Sequence, residues 1–183
     1  MSELPALERA EEEPEADEQQ HAPGRFEVPS GYKVLAGTPG GRHAVAVVVA
    51  KFNGEVTNRL LERALEELDE AGVEREAVTI VPVPGAFELP LAAIALAKSR
   101  KYACIVALGC VIRGETPHFD YVAAEAASGL QLAAIETGVP VSFGVLTTES
   151  IEQAEARIDR AADAVQSALE MAGLFSQLRT AAT

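Results

Sequence analysis

The chain contains, at residues 104–121, the stretch CIVALGCVIRGETPHFDY, which decides its fold. The run from Cys104 to Leu108 is apolar throughout and too short for a core helix, so it predicts a strand buried on both faces. Thr116 and Pro117 then indicate a helix start, with the Thr hydroxyl as N-cap and Pro at the first helical position, where its missing N–H costs nothing. The stretch therefore predicts a buried strand, a turn and a helix in that order.

The turn between this strand and this helix is suited to an anion. Gly114 and its neighbours would present free backbone N–H groups, supported by the helix dipole, to a ligand in front of them. His118 falls in the first turn of the predicted helix, where the positive end of the dipole favours a neutral imidazole that is able to accept a proton. These features predict an anion site beside a candidate proton carrier.

Outward from this stretch, strands and helices alternate four times. Apolar β-rich runs predict strands at Ala44–Ala50, Val78–Val83, Ala103–Leu108 and Val139–Leu146. Helical spacing predicts helices at Thr57–Ala71, Pro90–Lys98, Pro117–Glu136 and Ser150–Ala172, the last either continuous or broken once near Arg157–Ala161. This alternation predicts an α/β fold in which one parallel sheet of four strands is covered by helices on both faces.

Charge and length limit the possible functions. The formal charge of −13 argues against binding to nucleic acid or to an anionic membrane, because both need a basic face. Eight carboxylates and one Arg fall in the first twenty residues, so residues 1–24 are predicted to be a disordered acidic tail. Residues 25–183 are then one domain with a substantial core. No signal peptide or membrane span is recognised, which favours a cytoplasmic protein.

The two cysteines are predicted to be small core residues. Cys104 and Cys110 lie six residues apart in one apolar segment, which puts both side chains on the same face but too far apart to form a disulfide. They also lack the paired spacing of a zinc or redox motif.

Parallel strands bring four loops to one edge of the sheet, where ligands bind in open α/β folds. The predicted loops are residues 51–55, 83–88, 111–118 and 143–148. Together they offer aromatic rings, a carboxylate, exposed N–H groups, hydroxyls and a histidine, which suits a small polar ring that carries hydroxyls and a phosphate. They contain no set of metal ligands, so no metal site is predicted.

The same loops carry a resemblance to a known family. Their motifs are Phe52-Asn53, PGAFELP at 84–90, GCVIRGETPHF at 109–119 and FGVLTT at 143–148. In this order and spacing they resemble the signature loops of the 6,7-dimethyl-8-ribityllumazine synthase family, and the resemblance covers about Val34 to Leu174. It implies a flavodoxin-like three-layer sandwich that assembles as a homopentamer, in some members as paired pentamers or sixty-subunit shells. The segment Phe26–Leu35, which has some strand character, would add a strand to a neighbouring subunit's sheet.

The resemblance also implies a reaction that needs neither metal nor organic cofactor. Members condense 5-amino-6-(D-ribitylamino)uracil with 3,4-dihydroxy-2-butanone 4-phosphate and release water and inorganic phosphate. Carried over by motif, His118 would shuttle protons, Phe52 would stack on the pyrimidine, and Glu88 would hold ribityl hydroxyls. The resemblance implies a substrate contact for Phe52, Asn53, Gly85, Ala86, Phe87, Glu88, Val111, Ile112, Gly114, Glu115, Thr116, Phe143 and Arg157. Of these, Phe143 would reach a neighbouring subunit's site, and Arg157 would face the phosphate.

Several of these residues also have ordinary structural interpretations. His118 resembles a capping or surface group, Asn53 an N-cap, and Phe87 a hydrophobic residue at the core edge. Arg113 has no evident ligand role and is interpreted as structural.

The connection after Arg157 departs from the family. RIDRA at 157–161 replaces a longer Gly- and Lys-rich connection of the family, so Arg160 is either a second phosphate ligand or a solvated charge. This departure and the acidic tail keep an alternative open, in which the chain is a noncatalytic member that binds flavin-like or lumazine-like ligands or acts as a shell scaffold.

Overall fold

The structure, a computed structural model, describes residues 26–39 and 43–181. Its contacts divide the chain into two units, residues 1–34 and 35–183. The predicted acidic tail at 1–24 lies outside the described residues.

The described part of the first unit, residues 26–34, contains no helix or strand. Its apolar side chains are exposed, including Phe26, Val28, Tyr32 and Val34. The expected strand character of Phe26–Leu35 is therefore not expressed in a single chain. A strand needs a partner for its N–H and C=O groups, so strand addition to another copy stays a prediction.

The second unit alternates strands and helices in the predicted order. Its strands are β1 (Val45–Ala50), β2 (Val78–Val83), β3 (Cys104–Ile112) and β4 (Val141–Thr148). Its helices are α1 (Gly54–Glu70), α2 (Leu89–Lys98), α3 (His118–Thr137), α4 (Ile151–Glu155) and α5 (Arg160–Ala181), with short 3₁₀ turns at Arg75–Ala77 and Ala86–Glu88.

The four strands form one parallel sheet in the order β2-β1-β3-β4. Val45 pairs with Val78 of β2 and with Cys104 of β3, and Ile105 pairs with Val141 of β4. β1 and β3 are buried almost throughout, as expected of central strands covered on both faces. The predicted flavodoxin-like α/β fold is confirmed.

Two apolar clusters cover the two faces of the sheet. On one face, α1 and α5 pack on the sheet through residues such as Leu60, Leu68 and Leu169. On the other face, α2 and α3 pack through Leu89, Leu130 and their neighbours. The second unit is thus a three-layer sandwich. Among the described helices, none has the length and apolar character that a membrane span requires.

Both cysteines lie in the cluster beneath α1 and α5, as predicted. Burial raises the pKa of the Cys104 thiol to about 12 and that of Cys110 to about 11.

The carboxyl ends of two strands differ from the prediction. β3 continues to Ile112 and β4 to Thr148, because Ile112 and Thr148 still pair with each other in the β3–β4 ladder. The predicted loops at 111–118 and 143–148 are therefore shorter or absent. The last helix is broken at residues 156–159, which confirms the broken form of the two alternatives.

Candidate active site

The carboxyl ends of all four strands lie at one edge of the sheet because the strands are parallel. In the order β2-β1-β3-β4 the chain moves outward from β1 to β2 and then returns to the other side of β1 as β3. The connections after β1 and β3 therefore diverge, and ligands of doubly wound folds bind at such a switch point. The loops that carry Phe52-Asn53 and Gly114–His118 border it.

Asn53 bridges the switch point. Its backbone is left-handed (φ 57°, ψ 47°), a conformation that Asn tolerates better than most residues. Its side-chain Nδ2 donates a hydrogen bond of 2.9 Å to the backbone O of Cys110. Cys110 lies two residues beyond Leu108, the last β3 residue that pairs with β1, so the amide satisfies a carbonyl that β1 no longer reaches. Asn53 takes the N-cap position of α1, which confirms its interpretation as an N-cap, although its side chain makes no capping hydrogen bond.

The first two loops are joined by their backbones. The N–H of Lys51 donates to the O of Val83 over 2.8 Å, and the N–H of Phe52 donates to the O of Pro84 over 3.1 Å. The Phe52 ring is 71% exposed, which is unusual for a side chain of its apolar area. The backbone is therefore held in place while the ring faces outward from the edge.

The second loop holds the carboxylate of Glu88 over Gly85. Oε2 of Glu88 lies 3.2 Å from the point that a Cβ on Gly85 would occupy. The following turn, Ala86–Glu88, packs on β3 at Gly109, where a Cβ would meet Leu89 and Ala86. Phe87 is 57% exposed, so its interpretation as a hydrophobic residue at the core edge is wrong.

The third loop differs from its predicted form. Val111 and Ile112 belong to β3, and the loop proper is residues 113–117, which are exposed. The predicted N-cap at Thr116 is wrong, because Pro117 takes the N-cap position and α3 begins at His118 with no side-chain cap. Gly114, Glu115 and Thr116 thus precede a helix end whose first N–H groups receive no capping side chain, as an anion site requires.

The side chain of Arg113 holds this loop through three contacts. Its Nε lies 2.9 Å from Oε2 of Glu149, and its Nη1 lies 3.1 Å from Oδ1 of Asp120. Its guanidinium also lies over the Phe119 ring, 4.2 Å from the centroid. The two carboxylates raise the pKa of Arg113, Glu149 first. Arg113 is structural, as interpreted, and its side chain contacts Phe119 and Asp120, the two residues that follow His118.

Sequence patterns did not reveal the partners of Arg113. Asp120 lies within the predicted helix, and Glu149 lies between the fourth strand and the next helix. The one available signal was a basic residue at the end of a strand, followed by a carboxylate in the next helix and another beyond the neighbouring strand.

His118 lies at the start of α3 with its side chain exposed. α3 packs against the 86–88 turn, and Phe119 joins the same apolar cluster as Ala86. The structure thus brings the loops of Phe52, Asn53, Glu88, Gly114, Glu115, Thr116 and His118 to one edge of the sheet.

Phe143 does not join this group in its own chain. It lies inside β4, paired with Ala107 and five residues before the carboxyl end at Thr148, so it sits about 17 Å down the strand. Its side chain is 46% exposed along the outer edge of the sheet. There it borders a cavity of about 370 Å³ together with Arg160 and Asp163 of α5. The prediction that Phe143 lies in a loop at the carboxyl edge is wrong.

Arg157 is also separate from the other candidates. It lies in the break between α4 and α5, and its neighbours Ala154 and Ile158 pack on the α1–α5 face of the sheet. His118 begins a helix on the opposite face. Nη1 of Arg157 donates to the backbone O of Gln153 over 3.0 Å. Arg160 instead forms an ion pair of 3.0 Å with Asp163, both exposed, which favours its interpretation as a solvated charge.

The described residues at this edge offer stacking, hydrogen bonding and proton transfer. An exposed aromatic ring, a fixed amide, a carboxylate, an uncapped helix start and an imidazole are the groups available. Across residues 26–39 and 43–181, no three His, Cys, Asp or Glu side chains are grouped as metal ligands would be.

A comparison with protein families agrees with the motifs at this edge. The sequence model of 6,7-dimethyl-8-ribityllumazine synthase matches residues 42–176, about three quarters of the chain, and this range includes β1 to β4 and every loop described above. The chain therefore belongs to the 6,7-dimethyl-8-ribityllumazine synthase family.

Proposed function

We propose that this chain catalyses the reaction of its family, with the cytoplasm as its location. The substrates are 5-amino-6-(D-ribitylamino)uracil and 3,4-dihydroxy-2-butanone 4-phosphate, and the products are 6,7-dimethyl-8-ribityllumazine, inorganic phosphate and water. The observation that carries the proposal is the meeting of the Phe52-Asn53, 85–88 and 113–118 loops at the switch point of the sheet.

The pyrimidine substrate is assigned to the first two loops and the end of β3. The exposed Phe52 ring provides a stacking face, and its backbone is fixed by the hydrogen bond to Pro84. Glu88, whose carboxylate lies over Gly85, accepts hydrogen bonds from the ribityl hydroxyls. The backbone of Val111 and Ile112 meets the pyrimidine edge.

The phosphate-bearing substrate is assigned to the loop before α3. Gly114, Glu115 and Thr116 offer backbone N–H groups and a hydroxyl next to an uncapped helix start. Such a helix end favours a dianion through its dipole and its free N–H groups.

Proton transfers are assigned to His118. The 5-amino nitrogen attacks the ketone carbon, and loss of water gives an imine. Removal of a proton from the neighbouring carbon then expels phosphate from the terminal carbon, and the resulting enol becomes a ketone. The ribitylamino nitrogen attacks this ketone, and loss of a second water closes the ring. An imidazole beside the phosphate accepts the carbon-bound proton and returns it, which contributes about a hundredfold to the rate.

The complete site is proposed to need a second copy of the chain in a homopentamer. Phe143 sits about 17 Å down an edge strand and Arg157 on the opposite face of the sheet from α3, so neither serves the site of its own chain. Both are exposed, which leaves them available to a neighbour. The segment Phe26–Leu35 is proposed to add its strand in the same assembly.

Incubation of the purified protein with both substrates tests the proposal. We expect lumazine absorbance and phosphate release together, and a native mass five times that of one protomer. His118→Ala should lower turnover about a hundredfold while binding of the pyrimidine substrate stays nearly unchanged. His43→Ala is the control, because His43 precedes β1 at the other edge of the sheet. Ligand binding without any turnover would favour the noncatalytic alternative.

Mixed oligomers test the shared site. A pentamer assembled from equal amounts of His118→Ala and Phe143→Ala protomers pairs an intact histidine with an intact neighbouring phenylalanine at about one site in four. We therefore expect about a quarter of the normal activity after mixing and reassembly, although each variant alone is impaired. No recovery would contradict a site that two copies share.

A further inference from the structure

The connection between α4 and α5 carries alternating charges that should neutralise one another. The connection and the helix ends beside it contain Glu155, Arg157, Asp159, Arg160 and Asp163 within nine residues. A guanidinium so close to carboxylates normally pairs with one of them, and Arg160 does so with Asp163. A paired guanidinium has fewer donors left for a ligand.

Arg157 is an exception among the described residues of this connection. No carboxylate of residues 26–39 or 43–181 lies within ion-pair distance of Arg157, and its one side-chain hydrogen bond to these residues goes to the backbone O of Gln153. One of the five guanidinium N–H donors is used in that bond, so the others remain for a ligand.

The carboxylates that flank Arg157 are held by helix α1. Nη1 of Arg59 lies 3.3 Å from Oε1 of Glu155, and Nε of Arg63 lies 3.4 Å from Oδ1 of Asp159. Arg59 and Arg63 are one helical turn apart, so the two ion pairs lie side by side along α1.

The side chain of Arg63 is itself held by the largely buried carboxylate of Glu67. Its Nη2 lies 2.8 Å from Oε2 of Glu67, and the other oxygen of Glu67 accepts a hydrogen bond of 2.8 Å from Nε2 of Gln166 on α5. Glu67 is only 8% exposed, and these bonds to Gln166 and then Arg63 lower its pKa. The orientation of Arg63 is thus set before it meets Asp159.

We propose that Arg59 and Arg63 are positioning residues for the phosphate-bearing substrate: they bind the carboxylates on either side of Arg157 and so keep its guanidinium available to a phosphate dianion. This inference rests on the proposed function, in which Arg157 faces the phosphate. Without the two arginines, Glu155 and Asp159 would compete for Arg157 and repel the dianion. One unpaired carboxylate about 4 Å from either group in water-like surroundings changes binding about fivefold.

Kinetics of paired variants test the proposal. Arg59→Gln should raise the KM for the phosphate-bearing substrate about fivefold at low salt, with kcat and the KM for the pyrimidine nearly unchanged. The double variant Arg59→Gln/Glu155→Gln should return that KM to within about twofold of the original, because the released carboxylate is gone. Arg63→Gln with Asp159→Asn gives the second pair. High salt should shrink the single-variant effects, since the charges are exposed.

Arg75→Gln is the matched control, because it also removes one positive charge, from an exposed 3₁₀ turn outside the connection. The proposal would be overturned if this control raised the KM for the phosphate-bearing substrate equally. It would also be overturned if a double variant had the same raised KM as its single variant. A parallel rise in both KM values would indicate a general loss of structure and would overturn it as well.

Binding of inorganic phosphate separates this inference from the proposed function. Titration calorimetry of the full-length oligomer with inorganic phosphate needs no turnover. We expect weaker binding for Arg59→Gln and recovery in the double variant. If the protein forms no lumazine, the proposed function fails, yet the order of these phosphate affinities still decides the role of Arg59 and Arg63.

Discussion

Replacement of Asn53 should separate two contributions to the free energy of unfolding, one from its side-chain hydrogen bond and one from its left-handed backbone. In Asn53→Ala the Nδ2 bond to Cys110 is lost, which costs about 0.5–1.5 kcal/mol. The left-handed backbone at φ 57° then carries a Cβ without a polar side chain, which costs about 1–2 kcal/mol more. We expect Asn53→Ala to lower the free energy of unfolding by about 2.5 kcal/mol. Asn53→Gly keeps the backbone unstrained and should lose only about 1 kcal/mol.

Scanning calorimetry at a fixed protein concentration measures both values, because the proposed assembly would make the melting temperature depend on concentration. For a domain of this size, about 1 kcal/mol corresponds to about 2–4 °C, so the alanine variant should melt about 5–10 °C lower and the glycine variant about 2–4 °C lower. Asn58→Ala, an exposed change in α1, is the control and should stay within about 0.5 kcal/mol.

The order of the two variants is the decisive result. Equal losses of unfolding free energy in the alanine and glycine variants would refute the backbone contribution. An Asn53→Ala protein with the melting temperature of the original would refute both contributions. Within the part of the chain that the structure describes, Asn53 is the one side chain whose hydrogen bond ties the first loop to β3. Both variants should therefore also raise the KM for the pyrimidine more than the KM for the phosphate-bearing substrate.

Three further predictions concern single groups. Gly85→Ala should raise the KM for the pyrimidine with little effect on stability, because the new Cβ would lie 3.2 Å from Oε2 of Glu88, the movable end of a side chain; an unchanged KM would exclude Glu88 from that contact. The pKa of Glu67 is lowered in the folded protein, so its stabilisation is full above about pH 4.5 and is lost as pH falls through the folded value; urea unfolding at pH 3–7 should show a weaker acid dependence for Glu67→Gln than for the original protein. The thiols of Cys104 and Cys110, with pKa values of about 12 and 11, should resist a disulfide reagent at pH 8 until denaturant is added, and rapid labelling of the folded protein would contradict their burial.

The layers and the parallel order could be predicted because their signals are local. Apolar runs such as Cys104–Leu108 require burial on both faces, and helices at regular intervals between them require parallel strands. The grouping of the first three loops at one edge follows from that order alone. The short motifs in these loops then predicted which residues would carry the chemistry.

The strand ends and the helix start could not be predicted from local signals. Ile112 and Thr148 continue their strands because they pair with each other, and that pairing depends on the register of two segments far apart in sequence. Thr116 fits an N-cap by residue type, but the backbone at Pro117 takes that position. Likewise, composition alone does not reveal that Arg113 meets Glu149, 36 residues further along the chain.

The loops at this edge differ in how they are fastened, and this difference has a consequence for insertions and deletions. Backbone hydrogen bonds join Lys51 to Val83, Phe52 to Pro84 and Arg113 to Thr148, so an insertion in one of these loops shifts its partner as well. Residues 156–159 are anchored to α1 by side chains, through Arg63 and Asp159 and the adjacent pair of Arg59 and Glu155. We therefore expect insertions and deletions to disturb the fold less in that connection than in the coupled loops.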